Sequence, residues 1–113
     1  MIENAKITKV SLTMAEHGCL TFWVWVEMQN GACGIGGYCI GHGHLDADHF
    51  DGDGRGLVAM ARIMDTVGVE NWEDLKGEYC RVDSEGWGGK IIRIGNLIRD
   101  KWFDLPKFFA KEG

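Results

Sequence analysis

Leu20-Thr21-Phe22-Trp23-Val24-Trp25-Val26-Glu27-Met28 is the stretch that decides the fold. Leu20, Phe22, Val24, Val26 and Met28 share one face of an extended chain, while Thr21, Trp23, Trp25 and Glu27 share the other, so the segment reads as a strand. Two tryptophans on a nominally wet face are too much aromatic surface to leave in water. Something must cover them, either a helix of the same chain or a neighbouring subunit.

Working outward, Lys6 to Met14 alternates through Val10, Leu12 and Met14 and turns at Glu16-His17-Gly18. Asn30-Gly31 is a hairpin signal, which returns Ala32 to Ile40 as a third antiparallel strand, glycine-heavy and weakly packing. From Arg55, the spacing of Leu57, Ala61, Met64 and Val67 gives a helical stripe, with Asp53 placed as N-cap and Gly68 just past the end. Asn71 to Leu75 reads as a short capped turn closed by Gly77, with the Asn71 side chain accepting from the N–H groups after it. Glu78 to Asp83 and Lys90 to Asn96 read as a second hairpin joined by SEGWGG. Pro106 breaks any continuous helix in the tail IRDKWFDLPKFF, which packs over the sheet or across a partner. The order βββ–α–ββ predicts a single α+β domain over 1–113, an antiparallel meander and a C-terminal hairpin with one main helix.

The chain has 113 residues, 45% of them apolar and 11% aromatic, enough for one hydrophobic core without staples. Cys19, Cys33, Cys39 and Cys80 form no CxxC pair and have no zinc-finger spacing to histidine, which reads as free thiols in a reducing cytoplasm. Met1 is followed by the polar IENAKITK, and no apolar run approaches the roughly 20 residues that span a bilayer. A formal charge of −5 argues against duplex nucleic acid, whose affinity rests on cationic neutralisation of phosphates. The charge is uneven, however. Acidic residues gather at Asp46 to Asp53 and Glu70 to Asp74, whereas Arg81, Lys90, Arg93, Arg99, Lys101 and Lys107 fall in the last third, so a local cationic pocket for a small anion remains open.

Gly34 to Gly56, GIGGYCIGHGHLDADHFDGDGRG, invites a metal or phosphate reading. An EF-hand loop from Asp51 would place Asp53, Arg55 and Arg62 at its third, fifth and twelfth positions, and two arginines exclude it. HEXXH is absent, and His42, His44 and His49 with the aspartates read as a solvated polar loop, so no metal or cofactor is expected. GDGRGLVA lacks the Gly-Lys-Ser/Thr of a phosphate loop, and no βαβ unit surrounds it. What remains is Arg55 at a helix start, where N–H groups and the dipole favour an anion, or where the guanidinium pairs with a nearby aspartate. Cys39 near His42 supports no catalytic triad, and Glu73 with Asp74 serves a helix cap, so the reading is not an enzyme. Trp87, Arg93, Asn96, Arg99, Lys101 and Trp102 form a more suggestive set: aromatic faces for a base, guanidinium groups for phosphate, an amide for a base edge. The same residues also suit a core or a subunit interface.

The motif order LTFWVWVEM, GGYCIG, GLVAMARIMDTVGVENWEDLKGEYCRV and IIRIGNLIRDKWF resembles the first Thoeris anti-defence family of phages and prophages over about Lys6 to Phe103. The run GVENWEDLKGEYCRV followed by IGNLIRDKWF carries the resemblance. It implies a non-enzymatic sponge, in the cytoplasm of an infected cell, that binds cyclic ADP-ribose isomers made by TIR-domain enzymes so that the defence effector stays inactive. Some members also hold cyclic di- or trinucleotides at separate sites. The resemblance implies homodimers that can build hexamers, with pockets between chains. Within the matching blocks, Arg55, Arg93, Asn96 and Arg99 are the candidates for phosphate, ribose and base-edge contacts, and Tyr38, Trp87 and Trp102 for stacking. The alternative is a phage inhibitor that binds a host protein directly through its aromatic face and acidic loop. A small metal-dependent enzyme is a third reading.

Overall fold

Alternation in the Leu20 stretch becomes β2, Cys19–Met28, with Phe22, Val24 and Val26 fully buried on one face. In a computed structural model, which describes residues 1–15, 18–29, 31–44, 49–86 and 89–110, β2 lies inside one seven-stranded antiparallel sheet of order β4-β3-β2-β1-β5-β6-β7. The strands are β1 Ile2–Ala15, β2, β3 Gly31–His44, β4 His49–Gly52, β5 Tyr79–Ser84, β6 Ile91–Gly95 and β7 Trp102–Asp104. The main helix α1 spans Gly54–Val67, a 3-10 turn spans Trp72–Leu75, and a short α2 spans Leu105–Ala110. The chain is α+β, and its meander and C-terminal hairpin are joined into a single sheet because Ile2 to Lys6 of β1 pairs with Tyr79 to Asp83 of β5.

Both helices cover one face of the sheet, and the core forms there. Ala5 and Ile7 of β1, Phe22, Val24 and Val26 of β2, Ile35 and Ile40 of β3, Cys80 and Val82 of β5 and Ile94 of β6 meet Ala59 and Ile63 of α1. Asp53 caps α1 by accepting from the Arg55 N–H at 2.9 Å. Gly68, at φ 102°, ends it by donating to the Met64 carbonyl at 2.8 Å. The buried stripe is rotated from the expected one: Gly56, Ala59, Ile63 and Thr66 face the sheet, and Leu57 and Ala61 face outward. Backbone approach explains the rotation. Gly56 rests on Ile40, where an added methyl would run into the Ile40 side chain, so the small residues choose the contact face.

Three further expectations change. The polar stretch after Ile40 is not all loop: β3 runs on to His44 and pairs with β4, setting His42 opposite Asp51 and His44 opposite His49. Residues 45–48, with Asp46 and Asp48, lie outside the described residues, as do Asn30 of the predicted Asn30-Gly31 turn, Glu16 and His17. Gly31 belongs to the returning strand, opposite Met28. Asn71 makes no side-chain cap bond to the backbone; its Nδ2 donates to Asp74 Oδ2 at 2.9 Å instead. Among the described residues no helix is long and apolar enough to cross a membrane.

Among the described residues no helix covers Trp23 and Trp25. They lie on the sheet face opposite α1, stack on each other at 5.0 Å between centroids and 17° between planes, and rest over Gly34 and Gly37, where a Cβ would strike the indoles. Glycines in β3 thus open room for the aromatic pair. Trp25 keeps 37% of its surface exposed.

Candidate functional site

Two concave regions meet at the end of β3 nearest the start of α1. One, about 440 Å³, is lined by Tyr38, Cys39, Asp53, Arg55, Pro106, Phe109 and Ala110. Its neighbour, about 470 Å³, is lined by Cys19, Cys39, Gly41, His42, Asp51, Gly52 and Asp53, so the two share Cys39 and Asp53. Each volume lies within the range of small-molecule sites.

The groove's apolar wall is the pair Tyr38 and Phe109, stacked at 4.0 Å with 14° between planes. Phe22 backs both rings at 6.4 and 6.5 Å. Tyr38 is held above its ordinary pKa, first by burial and then by the charge of Asp104, so its phenol stays a proton donor. The polar wall comes from the α1 cap. Arg55 Nη2 meets Asp53 Oδ2 at 3.1 Å, Nε reaches Oδ1 at 3.4 Å, and Nη1 donates to the Phe109 carbonyl at 3.4 Å. The Arg55 side-chain hydrogen bond, then its backbone N–H, hold the Asp53 carboxyl below the usual carboxylate range. Asp53 is therefore an acceptor at neutral pH, and Arg55 a pinned donor beside the positive end of a helix.

Arg93 and Trp102 gather elsewhere, on the opposite face of the sheet. Trp102 lies flat over Gly95, where a Cβ would meet its ring, with the Arg93 and Arg81 guanidinium carbons 4.3 and 4.7 Å from its centroid. The partners of this cluster are internal. Arg93 donates to Asp83 Oδ2 at 2.9 and 2.7 Å from Nε and Nη2, and Asp83 also accepts from the Met1 amine at 3.1 Å. Arg81 donates to the Asn96 and Arg99 carbonyls at 2.7 and 2.8 Å. Trp102 Nε1 donates to Asp100 Oδ1 at 3.1 Å. Asn96 donates to the Thr66 and Val67 carbonyls at the end of α1, at 3.0 and 3.4 Å, and accepts from the Ile98 and Arg99 N–H groups. Its amide is spent on holding α1 to the β6–β7 loop.

Of the seven predicted site residues, Tyr38 and Arg55 share the groove, Arg93 and Trp102 are engaged in the opposite cluster, and Asn96 is engaged at the end of α1. Arg99 is exposed, without a side-chain partner among the described residues, and Trp87 lies outside them. The groove adds Phe109 and Asp53 as lining. Phe109 sits in the KFF tail, whose only sequence signal was aromatic content; Asp53 was visible as a cap but not as a wall. Among the described residues no group of three or more His, Cys, Asp or Glu side chains could hold a metal ion. No protein-family model, no curated protein and no solved structure matches the chain.

Proposed function

We propose that the chain is a non-enzymatic sponge that takes a small cyclic nucleotide, of the cyclic ADP-ribose type, into the Tyr38–Arg55–Phe109 groove and withdraws it from a defence effector in the infected cell's cytoplasm. The observation that carries the reading is the convergence, around one cavity, of an aromatic pair, a guanidinium at a helix start and an ionised carboxylate. An adenine stacks on aromatic rings, a pyrophosphate draws on Arg55 and the α1 N–H groups, and ribose hydroxyls donate to Asp53. Calorimetry with cyclic ADP-ribose isomers, followed by heat denaturation and analysis of what is released, tests it. Heat of binding with intact ligand recovered is expected. No heat sinks the sponge reading, and a cleaved product turns the chain into an enzyme.

The same proposal includes a homodimer, for which the open edge of β1 speaks. Beyond Ile7, whose backbone is taken by Gly77 and Glu78, no strand flanks that edge among the described residues. Leu12 and Met14 are 51% and 42% exposed along it. Two copies pairing antiparallel about Leu12 bring Leu12 against its own counterpart and Val10 of each copy against Met14 of the other, covering surface and unpaired backbone together. Light scattering is expected to give a dimer that Leu12→Lys disrupts.

One observation favours the alternative of direct binding to a host protein: the uncovered Trp23–Trp25 stack, since tryptophan is enriched at binding hot spots. Capture of a host protein that is lost with Trp25→Ser, without nucleotide in the purified sample, would select it.

A further inference from the structure

The chain's cysteines show no pairing motif, and all four are free thiols. Two of them nevertheless come together. Cys19 opens β2 opposite His42, and Cys39 stands opposite Thr21 in β3. In an even ladder such diagonal neighbours have Cα atoms about 7–8 Å apart, too far for a disulfide unless the backbone shifts. The ladder is not even here. Its register slips between Leu20 and Thr21, leaving Ile40 as the extra residue of β3, and a bulge raises local twist and re-aims the side chains beside it.

The neighbouring Cys39 thiol, more than burial, holds the Cys19 thiol above its ordinary value, and Cys39 Sγ donates to the Gly41 carbonyl at 3.3 Å. Both side chains line the 470 Å³ cavity, with His42 and Asp51 on its other walls. Cys39 is exposed and Cys19 half-buried, so a reagent in the cavity reaches the pair from solvent. The other two thiols differ. Cys80 is buried in the core, its thiol pushed up to about 12 by desolvation. Cys33 stands opposite Val26, with its Sγ turned to the Gly34 carbonyl at 3.6 Å.

We propose that Cys19 and Cys39 form a dithiol modification site that reacts with small disulfides of the glutathione class and closes to a disulfide across β2 and β3. The exposed Cys39 sulfur, as thiolate, attacks one sulfur of the reagent, and the reagent's S–S bond breaks. One reagent thiol leaves, taking up the proton that Cys39 lost. Cys19, giving up its proton, then attacks Cys39 Sγ in the mixed disulfide and expels the second reagent thiol. Two protein thiols are oxidised by two electrons, and one small disulfide is reduced to two thiols. Because Cys39 also lines the Tyr38 groove, closure alters a wall of both cavities.

The test is incubation of the folded protein with oxidised glutathione, followed by intact mass and peptide mapping under non-reducing conditions. Loss of two hydrogen masses, a Cys19–Cys39 cross-linked peptide, and unmodified Cys33 and Cys80 are expected. Cys33→Ser keeps the mass loss. Cys19→Ser abolishes it and halts the reaction at a glutathione adduct on Cys39. A persistent adduct on Cys39 in the unmutated protein, a cross-link through Cys33, or no reaction at glutathione concentrations that oxidise an exposed model dithiol overturns the proposal. Amide exchange of the reduced Cys19→Ser protein checks that the variant is folded.

Discussion

The groove beside Tyr38 and the cluster around Trp102 are built from the same side chains, aromatic rings beside guanidinium groups, yet they differ in what surrounds the charge. At Trp102 the arginines spend their donors on Asp83 and on the Asn96 and Arg99 carbonyls, and the ring lies on Gly95. At Tyr38 the guanidinium of Arg55 is likewise paired, with Asp53 and the Phe109 carbonyl, but the same chemistry faces a cavity of about 440 Å³. Residue type suggests what a region could bind; the open volume beside the paired groups decides whether it is structure or site. The C-terminal cluster is a clasp, closing the sheet's far edge and tying α1 to it, and the groove is the region with surface to offer.

That contrast can be broken experimentally, the largest effect first. Trp102→Ala removes the ring that both arginines and Gly95 enclose, and is expected to cost about 3 kcal/mol of unfolding free energy in urea titrations, with nucleotide affinity of the folded fraction unchanged. Affinity loss without stability loss would move the binding site to the outer face. Asn96→Ala frees two helix-end carbonyls and two loop N–H groups; a cost of about 2 kcal/mol and faster amide exchange at Ile98 and Arg99 are expected. Phe109→Ala reverses the pattern, lowering affinity about tenfold, worth about 1.4 kcal/mol, in the calorimetric titration.

The smallest effect is set by pH. Hydrogen bonds from Arg93, then from the Met1 amine, hold Asp83 below its ordinary value of 3.8. A carboxylate whose pKa is lowered on folding stabilises the fold above its unfolded pKa, and loses that contribution as pH falls through the folded value. The stability gap between the unmutated protein and Asp83→Asn should therefore be constant from neutrality down to the unfolded pKa and close below it. Thermal melts across the acid range read the gap directly.

Much of this was legible locally. Strict alternation identified β2, Asp53 and Gly68 bracketed α1, and the strands on either side of SEGWGG paired as expected. What escaped depended on distant partners. β4 hid because His49-Phe50-Asp51-Gly52 has too few apolar residues to alternate, and it exists by pairing with the end of β3. The buried stripe of α1 was misjudged because periodicity ranks Leu57 above Gly56, whereas close approach to Ile40 favours the residue with no side chain. Asn96 looked like a base-reading amide because nothing in its neighbourhood of sequence announces that Thr66 and Val67 carbonyls will claim it.

The pairing of β1 with both β2 and β5 also bears on how the chain is made. The β1–β2 hairpin is local, but the contact that completes the sheet ties Met1 to Asp83 across 82 positions. During synthesis the hairpin must keep its second edge unsatisfied until β5 emerges, and closing so long a loop is slow. That interval is when the edge from Ile2 to Lys6, which β5 later covers, is most open to misassembly. Translation speed between α1 and β5 is thus a lever on yield that acts without altering a single residue.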